Sequence, residues 1–194
     1  MSPMVKLPLT IEHALLGLLY RRPLHGYQLH QELTEAHDLG LVWRLKEAQL
    51  YRLLGRLEEE GYVEATSEAQ GTRPPRKVLS LTPAGEAAFL DWVRAPVHRG
   101  RELRLEFLAK LYFARQLGGD TVGDLVTAQR QELQEALDDL TRQADALRQT
   151  RIYDWLVLEF RIGQLGAMLA WLATCETALA FPPSPPGRGE VVMR

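Results

Sequence analysis

A single cysteine, Cys175, is all that 194 residues contain. That excludes an internal disulfide framework and suits a reducing compartment, so we expect a cytoplasmic protein. Excess positive charge is missing too. The formal net charge is -2, and residues 1–100 hold twelve Lys+Arg against twelve Asp+Glu. Any surface for nucleic acid must therefore be a local patch. No glycine-rich phosphate loop, nucleophile–base motif or metal signature is present, which argues against an enzyme, a cofactor and a metal. His25, His30 and His37 are five and seven residues apart, not the four that brings two ligands onto adjacent helical turns. They read as surface or phosphate-contacting histidines. MSPMVKLPLTIEH lacks the basic-then-apolar order of a secretory signal. The nearest approach to a membrane span, Ile162–Phe181, is interrupted by Gln164 and Glu176 and preceded by Glu159 and Arg161. It reads as a buried helix, and we expect no membrane partner.

What is present centres on Arg44–Val63, RLKEAQLYRLLGRLEEEGYV. Leu45, Ala48, Leu50, Tyr51, Leu53, Leu54 and Leu57 recur at the three- and four-residue steps of an amphipathic helix. Gly61 supplies a C-terminal stop. Arg44, Lys46, Arg52 and Arg56 lie in the first part with Gln49 and Tyr51, while Glu58, Glu59 and Glu60 crowd the end. This layout opposes the helix dipole. It places cations and hydrogen-bonding groups on the half that a recognition helix presents to a DNA major groove. Upstream, Thr10 is suited to cap a helix whose apolar stripe is Ile11, Ala14, Leu15, Leu18 and Leu19, with Glu12 and His13 facing away. Arg21, Arg22 and Pro23 end it. LHGYQLHQELTEAHDLG then predicts a second short helix on Tyr27, Leu29, Leu33 and Ala36, closed by Gly40. This short helix, a turn and then the Arg44–Gly61 helix make a helix-turn-helix.

After Gly61, YVEATSEA predicts a strand, QGTRPPR a loop and KVLSLT a return strand. A hairpin directly after a recognition helix is a wing, and Arg73, Arg76 and Lys77 give its tip three positive charges. The expected DNA-facing set is His25, Tyr27, Arg44, Lys46, Gln49, Tyr51, Arg52, Arg56, Arg73, Arg76 and Lys77. Its partner is double-stranded DNA. The alternative from another class is a protein-interaction module, which has no need of three cations at a wing tip.

From Leu15 to Trp92 the chain resembles the PadR family of bacterial winged-helix transcriptional regulators. The phrases that carry the likeness are ALLGLLYRRPLHGYQL, AQLYRLLGRLEEEGYVE and RPPRKVLSLTPAGEAAFLDW. Leu79 departs from it, since the family often has tyrosine in the final wing strand. The resemblance implies a homodimer, usually a repressor, whose C-terminal helical region dimerises and sometimes binds small molecules.

Thr82-Pro83 opens a further helix through Ala87, Leu90, Trp92 and Val93, ended by Pro96. RELRLEFLAKLYFARQLG follows, with Leu103, Leu105, Phe107, Leu108, Leu111, Tyr112 and Phe113 around so much of its circumference that one neighbour cannot cover them. Asp120–Thr150 repeats Val126, Leu133, Leu140 and Leu147 every seven residues, widened by Val122, Leu137 and Ala144, as in a coiled-coil seam. The last helix, Ile152 to about Ala180, has so few polar positions that a partner subunit is the economical cover. Dimer contacts are therefore expected from Leu133, Leu140, Trp155, Leu158, Leu165, Leu169 and Trp171. Trp155 and Trp171 also suit the walls of a small aromatic effector's pocket, which the resemblance implies. Cys175 has no cation in helical reach to activate it and reads as core. The expected class is mainly α. It comprises a winged helix-turn-helix domain (1–97), a helical dimerisation and effector domain (98–181) and a flexible Pro/Gly-rich tail (182–194).

Overall fold

The computed structural model describes residues 10–35, 38–70 and 73–180. The chain is mainly α, a winged helix followed by a C-terminal helical region. Helices α1 (Thr10–Arg21), α2 (Gly26–Thr34) and α3 (Glu47–Glu59) come first, with strand β1 (Leu24–His25) between α1 and α2. Strands β2 (Val63–Gln70) and β3 (Arg73–Leu81) form the wing. Then come α4 (Pro83–Arg94), α5 (Gly100–Glu102), a π-helical turn (Leu103–Phe107), α6 (Leu108–Leu117), α7 (Thr121–Leu147) and α8 (Ile152–Ala180). The predicted tail lies outside the described residues.

Contacts divide the chain into two compact units, one up to Ala128 and one from Gln129 onwards. In the first, α1 is the central element and is covered on every side rather than along one stripe. Ala14, Leu15, Leu16, Leu18 and Leu19 are buried, and so are Glu12 and His13, which the amphipathic reading had turned to solvent. The reason lies in their partners. Glu12 pairs with Arg56 of α3, and His13 stacks flat on Trp92 of α4 at 5.1 Å between ring centroids and 6° between planes. Gly17 lies where a Cβ would come within 2.6 Å of the Phe113 ring, so its missing side chain admits the Phe89–Phe113 edge contact (5.4 Å, 84°). The hydroxyl of Thr10, the first residue of α1, donates to Glu106 Oε2 at 3.0 Å.

The wing is a three-stranded sheet of order β1-β3-β2, not a two-stranded hairpin. β1 pairs Leu24 with Leu79 and His25 with Val78, and β2 runs antiparallel to β3 from Val63↔Leu81 to Gln70↔Arg73. The stretch read as a loop is thus largely strand. β1 is only two residues long, so among the described residues no strand lies beside the outer edge of β3 at Pro74 and Pro75, where a missing N–H is harmless. The register shifts opposite them, between Glu68 and Gln70. Leu79 is buried in the sheet, opposite both Leu24 and Ala65. Thr82 caps α4, its Oγ1 accepting from Gly85 N–H at 3.2 Å and donating to Gly61 O at 2.6 Å, with Pro83 at the first helical position.

The second unit is an antiparallel hairpin of the later part of α7 with α8. Arg130 pairs with Glu176 (2.7 Å) at one end, and Arg148 lies over the Trp155 ring (5.8 Å) at the other. Leu133 and Ala144 of α7 are buried, as are Leu158, Leu165 and Leu172 of α8, the last three at a seven-residue spacing. Regular seams on both helices are what knobs-into-holes packing requires.

Candidate nucleic-acid interface

Helix α3 begins at Glu47, later than Arg44, because no capping side chain precedes it. Lys46 is extended (φ -76, ψ 143) and makes no side-chain cap, and the first helical residue is an acid that suits the positive dipole end. Arg44 and Lys46 therefore stand exposed on the segment leading into the helix. His30 Nε2 donates to the Leu45 carbonyl at 3.1 Å, and Leu45 is buried, so this segment is tied down from α2. At the other end Gly61 has φ +77 and Tyr62 N–H donates to Leu57 O at 2.9 Å, which closes the helix as the glycine predicts.

Leu50, Leu53, Leu54 and Leu57 are buried beneath α3. The opposite face carries Ala48, Gln49, Tyr51 and Arg52, all exposed. Gln49 and Arg52, three residues apart, share that face. Arg56 does not. Its guanidinium turns inward to the fully buried Glu12 and lies 3.8 Å from Glu60, so this cation holds α3 to α1. Its sequence position beside Arg52 gives no hint of this, because the signal is an acid 44 residues earlier on what reads as a polar face.

Beside α3 the base of the wing forms a cleft of about 640 Å³, lined by His25, Gly26, Tyr27, Tyr51, Leu54, Gly55, Glu58, Arg76, Lys77 and Leu79. Its walls are well organised. Gln28 Oε1 accepts from His25 N–H (2.8 Å) at the start of α2, and His25 Nδ1 donates to the Lys77 carbonyl (2.9 Å). That second bond fixes which ring nitrogen carries the proton. The His25 and Tyr27 rings stack at 5.6 Å and 13°, and the Arg76 guanidinium lies 5.8 Å from the Tyr27 centroid. Tyr51 packs so closely on Gly26 that a Cβ there would come within 2.6 Å of its ring. Lys77 Nζ sits 3.3 Å from Glu58 Oε2, an exposed pair across the cleft. Of the expected set the structure thus brings together His25, Tyr27, Tyr51, Arg76 and Lys77, with Gln49 and Arg52 on the adjoining helix face. Arg44 and Lys46 flank the helix start. The side chain of Arg73 lies outside the described residues.

A second polar cluster went unread in the sequence. Glu106, in the π-helical turn, accepts from Trp92 Nε1 (2.9 Å) and from Thr10, and lies 3.2 Å from Lys110 Nζ. Lys110 is buried, donates to the Ala95 carbonyl at 2.8 Å and lies 5.3 Å from the Trp92 ring. Burial pulls the Lys110 pKa below its ordinary value, against the opposing pull of Glu106. Only the i,i+4 spacing of Glu106 and Lys110 was legible, and such spacing is usually a solvated pair.

In the hairpin, Leu133, Leu158 and Leu165 are buried within one chain, Leu140, Trp155 and Leu169 are half-buried, and Trp171 is exposed. The large apolar residues that α8 leaves exposed are Ile152, Tyr153, Leu156, Val157, Phe160 and Trp171. Most of these were not singled out as contacts, since uniform hydrophobicity along α8 hides which side faces α7. Cys175 is buried, and burial pushes its thiol pKa up, away from a reactive thiolate.

A helix presenting Gln49 and Arg52, flanked by a three-stranded wing, defines a winged helix-turn-helix protein. Residues 15–91 match the transcriptional regulator PadR-like family, and residues 103–180 match the virulence activator alpha C-terminal family. The negative transcriptional regulator PadR of Bacillus subtilis is 32% identical over 131 residues, 68% of this chain and 71% of that protein. The probable transcriptional regulator Rv1176c of Mycobacterium tuberculosis is 27% identical over 187 residues, 88% of this chain and 98% of the relative. Among solved structures, Bacillus subtilis PadR in complex with operator DNA is 26% identical, with a TM-score of 0.45 over 88% of this chain and 99% of that one. The chain belongs to the PadR-like family of transcriptional regulators.

Proposed function

We propose that the protein is a sequence-specific DNA-binding repressor that acts as a homodimer on a promoter palindrome and is released by a small aromatic effector. The observation that carries the DNA reading is the juxtaposition of two chemistries. Gln49 and Arg52 stand on the outer face of α3, suited to bidentate pairing with adenine and guanine. Beside them Arg76, Lys77, Tyr27 and Tyr51 ring a cleft with groups suited to phosphate. An interaction-only winged helix needs no such division. The sign of regulation is supported by the negative regulator of Bacillus subtilis to which the chain is similar.

The dimer reading rests on α8. Ile152–Leu179 is long and apolar enough to cross a membrane, an 18-residue stretch of it reaching a mean hydropathy of 1.4, yet little of that stretch is buried in the chain alone. A second copy would cover this face in an isologous interface and set two recognition helices about one DNA turn apart, or a multiple of it. Residues 98–181 would then serve dimerisation and residues 1–97 DNA binding, in a cytoplasmic protein that is not an enzyme. The effector reading rests on Trp155, whose indole sits beneath the Arg148 guanidinium and so offers an aromatic plane next to a cation. Trp171 lies sixteen residues further along the same helix, about 24 Å away, so a second wall would have to come from the other subunit.

The test is a footprint across salt concentrations on the DNA upstream of the protein's own coding region, with sedimentation of the unmodified protein at micromolar concentration. A dimer protecting a palindrome supports the reading. A monomer removes the dimer and the palindrome together, and uniform protection at every salt concentration removes sequence specificity.

A further inference from the structure

Gly55 lies in the middle of α3, where glycine destabilises a helix relative to alanine. Most other described glycines have a local reason. Gly17 and Gly26 admit aromatic rings, Gly85 meets the Tyr62 carbonyl, and Gly61, Gly118 and Gly119 have positive φ. Gly55 has none of these: a Cβ there would meet nothing within 4 Å. Gly123, Gly163 and Gly166 share that openness, but they belong to α7 and α8 and line no part of the cleft beside α3.

Position matters here. At about 100° per residue, Ala48, Arg52, Gly55 and Glu59 form the outermost line of α3, directly opposite the buried Leu50, Leu53, Leu54 and Leu57. Gly55 is also the point where this line meets the cleft, which it lines together with Tyr27, Tyr51, Arg76 and Lys77. A side chain there would stand at the junction of the helix face and the wing base. Hydroxyls and cations surround that junction, with the Glu58 carboxylate paired to Lys77, and hydroxyls and cations are groups that contact phosphate and sugar.

We infer that Gly55 is kept bare so that the sugar–phosphate backbone of one DNA strand can pass over it into the cleft between recognition helix and wing. This rests on the DNA-binding reading above and specifies where the backbone runs. Gly55 is thus a positioning residue, adding no contact of its own and setting how close the strand can come. The ligand is the backbone, so the effect should not depend on sequence.

The experiment uses the full chain, a duplex selected by the unmodified protein from a random pool, and an unselected duplex. Gly55→Ala should raise the melting temperature by about 2–4 °C, as expected for a protein of this length. It should weaken binding to both duplexes alike, by roughly tenfold, as overpacking of a close contact would. Gly123→Ala, on α7, should bind both duplexes as the unmodified protein does. Undiminished affinity in Gly55→Ala overturns the inference. So does a loss confined to the selected duplex, which would place base edges over Gly55 instead, or a fall in melting temperature, which would show that the site is not open. If the unmodified protein binds neither duplex, the DNA-binding reading fails first and separately.

Discussion

Arg56→Ala is expected to be one of the most destabilising single changes on α3, although the residue is a partly exposed arginine on a helix with a DNA-facing side. Glu12, its partner, has no solvent exposure, and the Arg56 side chain retains only 27%. Removing the guanidinium takes the cation away from a fully buried carboxylate, for which the loss is about 3–5 kcal/mol. For a chain of this length each kcal/mol is about 2–4 °C of melting temperature, so the variant should melt roughly 6–20 °C lower. Replacing both partners, as in Glu12→Gln/Arg56→Met, should recover most of that, because no buried charge remains at the site. Urea unfolding of Glu12→Gln, Arg56→Met and the double completes the cycle. In duplex titrations the double variant should keep the unmodified salt slope, since Arg56 is engaged inward. An Arg56→Ala protein within about 0.5 kcal/mol of the unmodified one, the range of ordinary surface changes, would refute the pairing. A double variant whose salt slope drops by about one per half-site would make Arg56 a phosphate contact after all.

Two further outcomes follow from the pairs at the wing base and the π-helical turn. Glu58→Gln removes the carboxylate 3.3 Å from Lys77 and should strengthen binding to random duplex, steepening log K against log salt by about one per half-site; an unchanged slope would mean Lys77 does not meet phosphate. Lys110 has its pKa lowered by burial, so between its folded value and 10.5 the unfolded chain holds the proton more tightly than the folded one. Stability should therefore rise with pH through that window, and Lys110→Met should flatten the rise in urea unfolding at alkaline pH.

Legibility from sequence followed the physics of periodicity. Helix α8, expected from Ile152 to about Ala180, spans Ile152–Ala180, because a nearly continuous apolar run bounded by a polar turn leaves little choice of ends. The outward placement of Gln49 and Arg52 follows from the leucine spacing alone. What periodicity cannot register is a long-range partner. Glu12 reads as solvated until Arg56 arrives from α3, and His13 until Trp92 arrives from α4. β1 escaped for a related reason: Leu24-His25 is too short to alternate and exists only through its pairing with Leu79 and Val78. The strand through Pro74 and Pro75 was hidden because proline excludes a central strand, and whether that stretch is central depends on where β1 stops.

The same limit decides how the dimer must be tested. A charge at Leu165 looks like a direct attack on a subunit interface, but Leu165 is buried in line with Leu158 and Leu172, on the side of α8 that packs within the chain. Leu165→Glu should therefore lose helical hairpin and dimer together and decide nothing between them. At about 100° per residue, Ile152, Leu156 and Phe160 fall on the opposite arc with Tyr153 and Trp171, while Val157 lies on its flank. Phe160 is 67% exposed and Tyr153 75%. A charge there meets water in the isolated chain and an apolar partner only in a dimer. Phe160→Glu should keep the far-ultraviolet helical signal and the cooperative melting of the hairpin, sediment as a monomer, and lose operator binding. Leu165→Glu should lose the helical signal as well. If Phe160→Glu still sediments as a dimer, this arc of α8 is not the interface. If the unmodified protein floats with lipid vesicles and does not self-associate, the arc is lipid-facing and the two-fold arrangement of recognition helices loses its support.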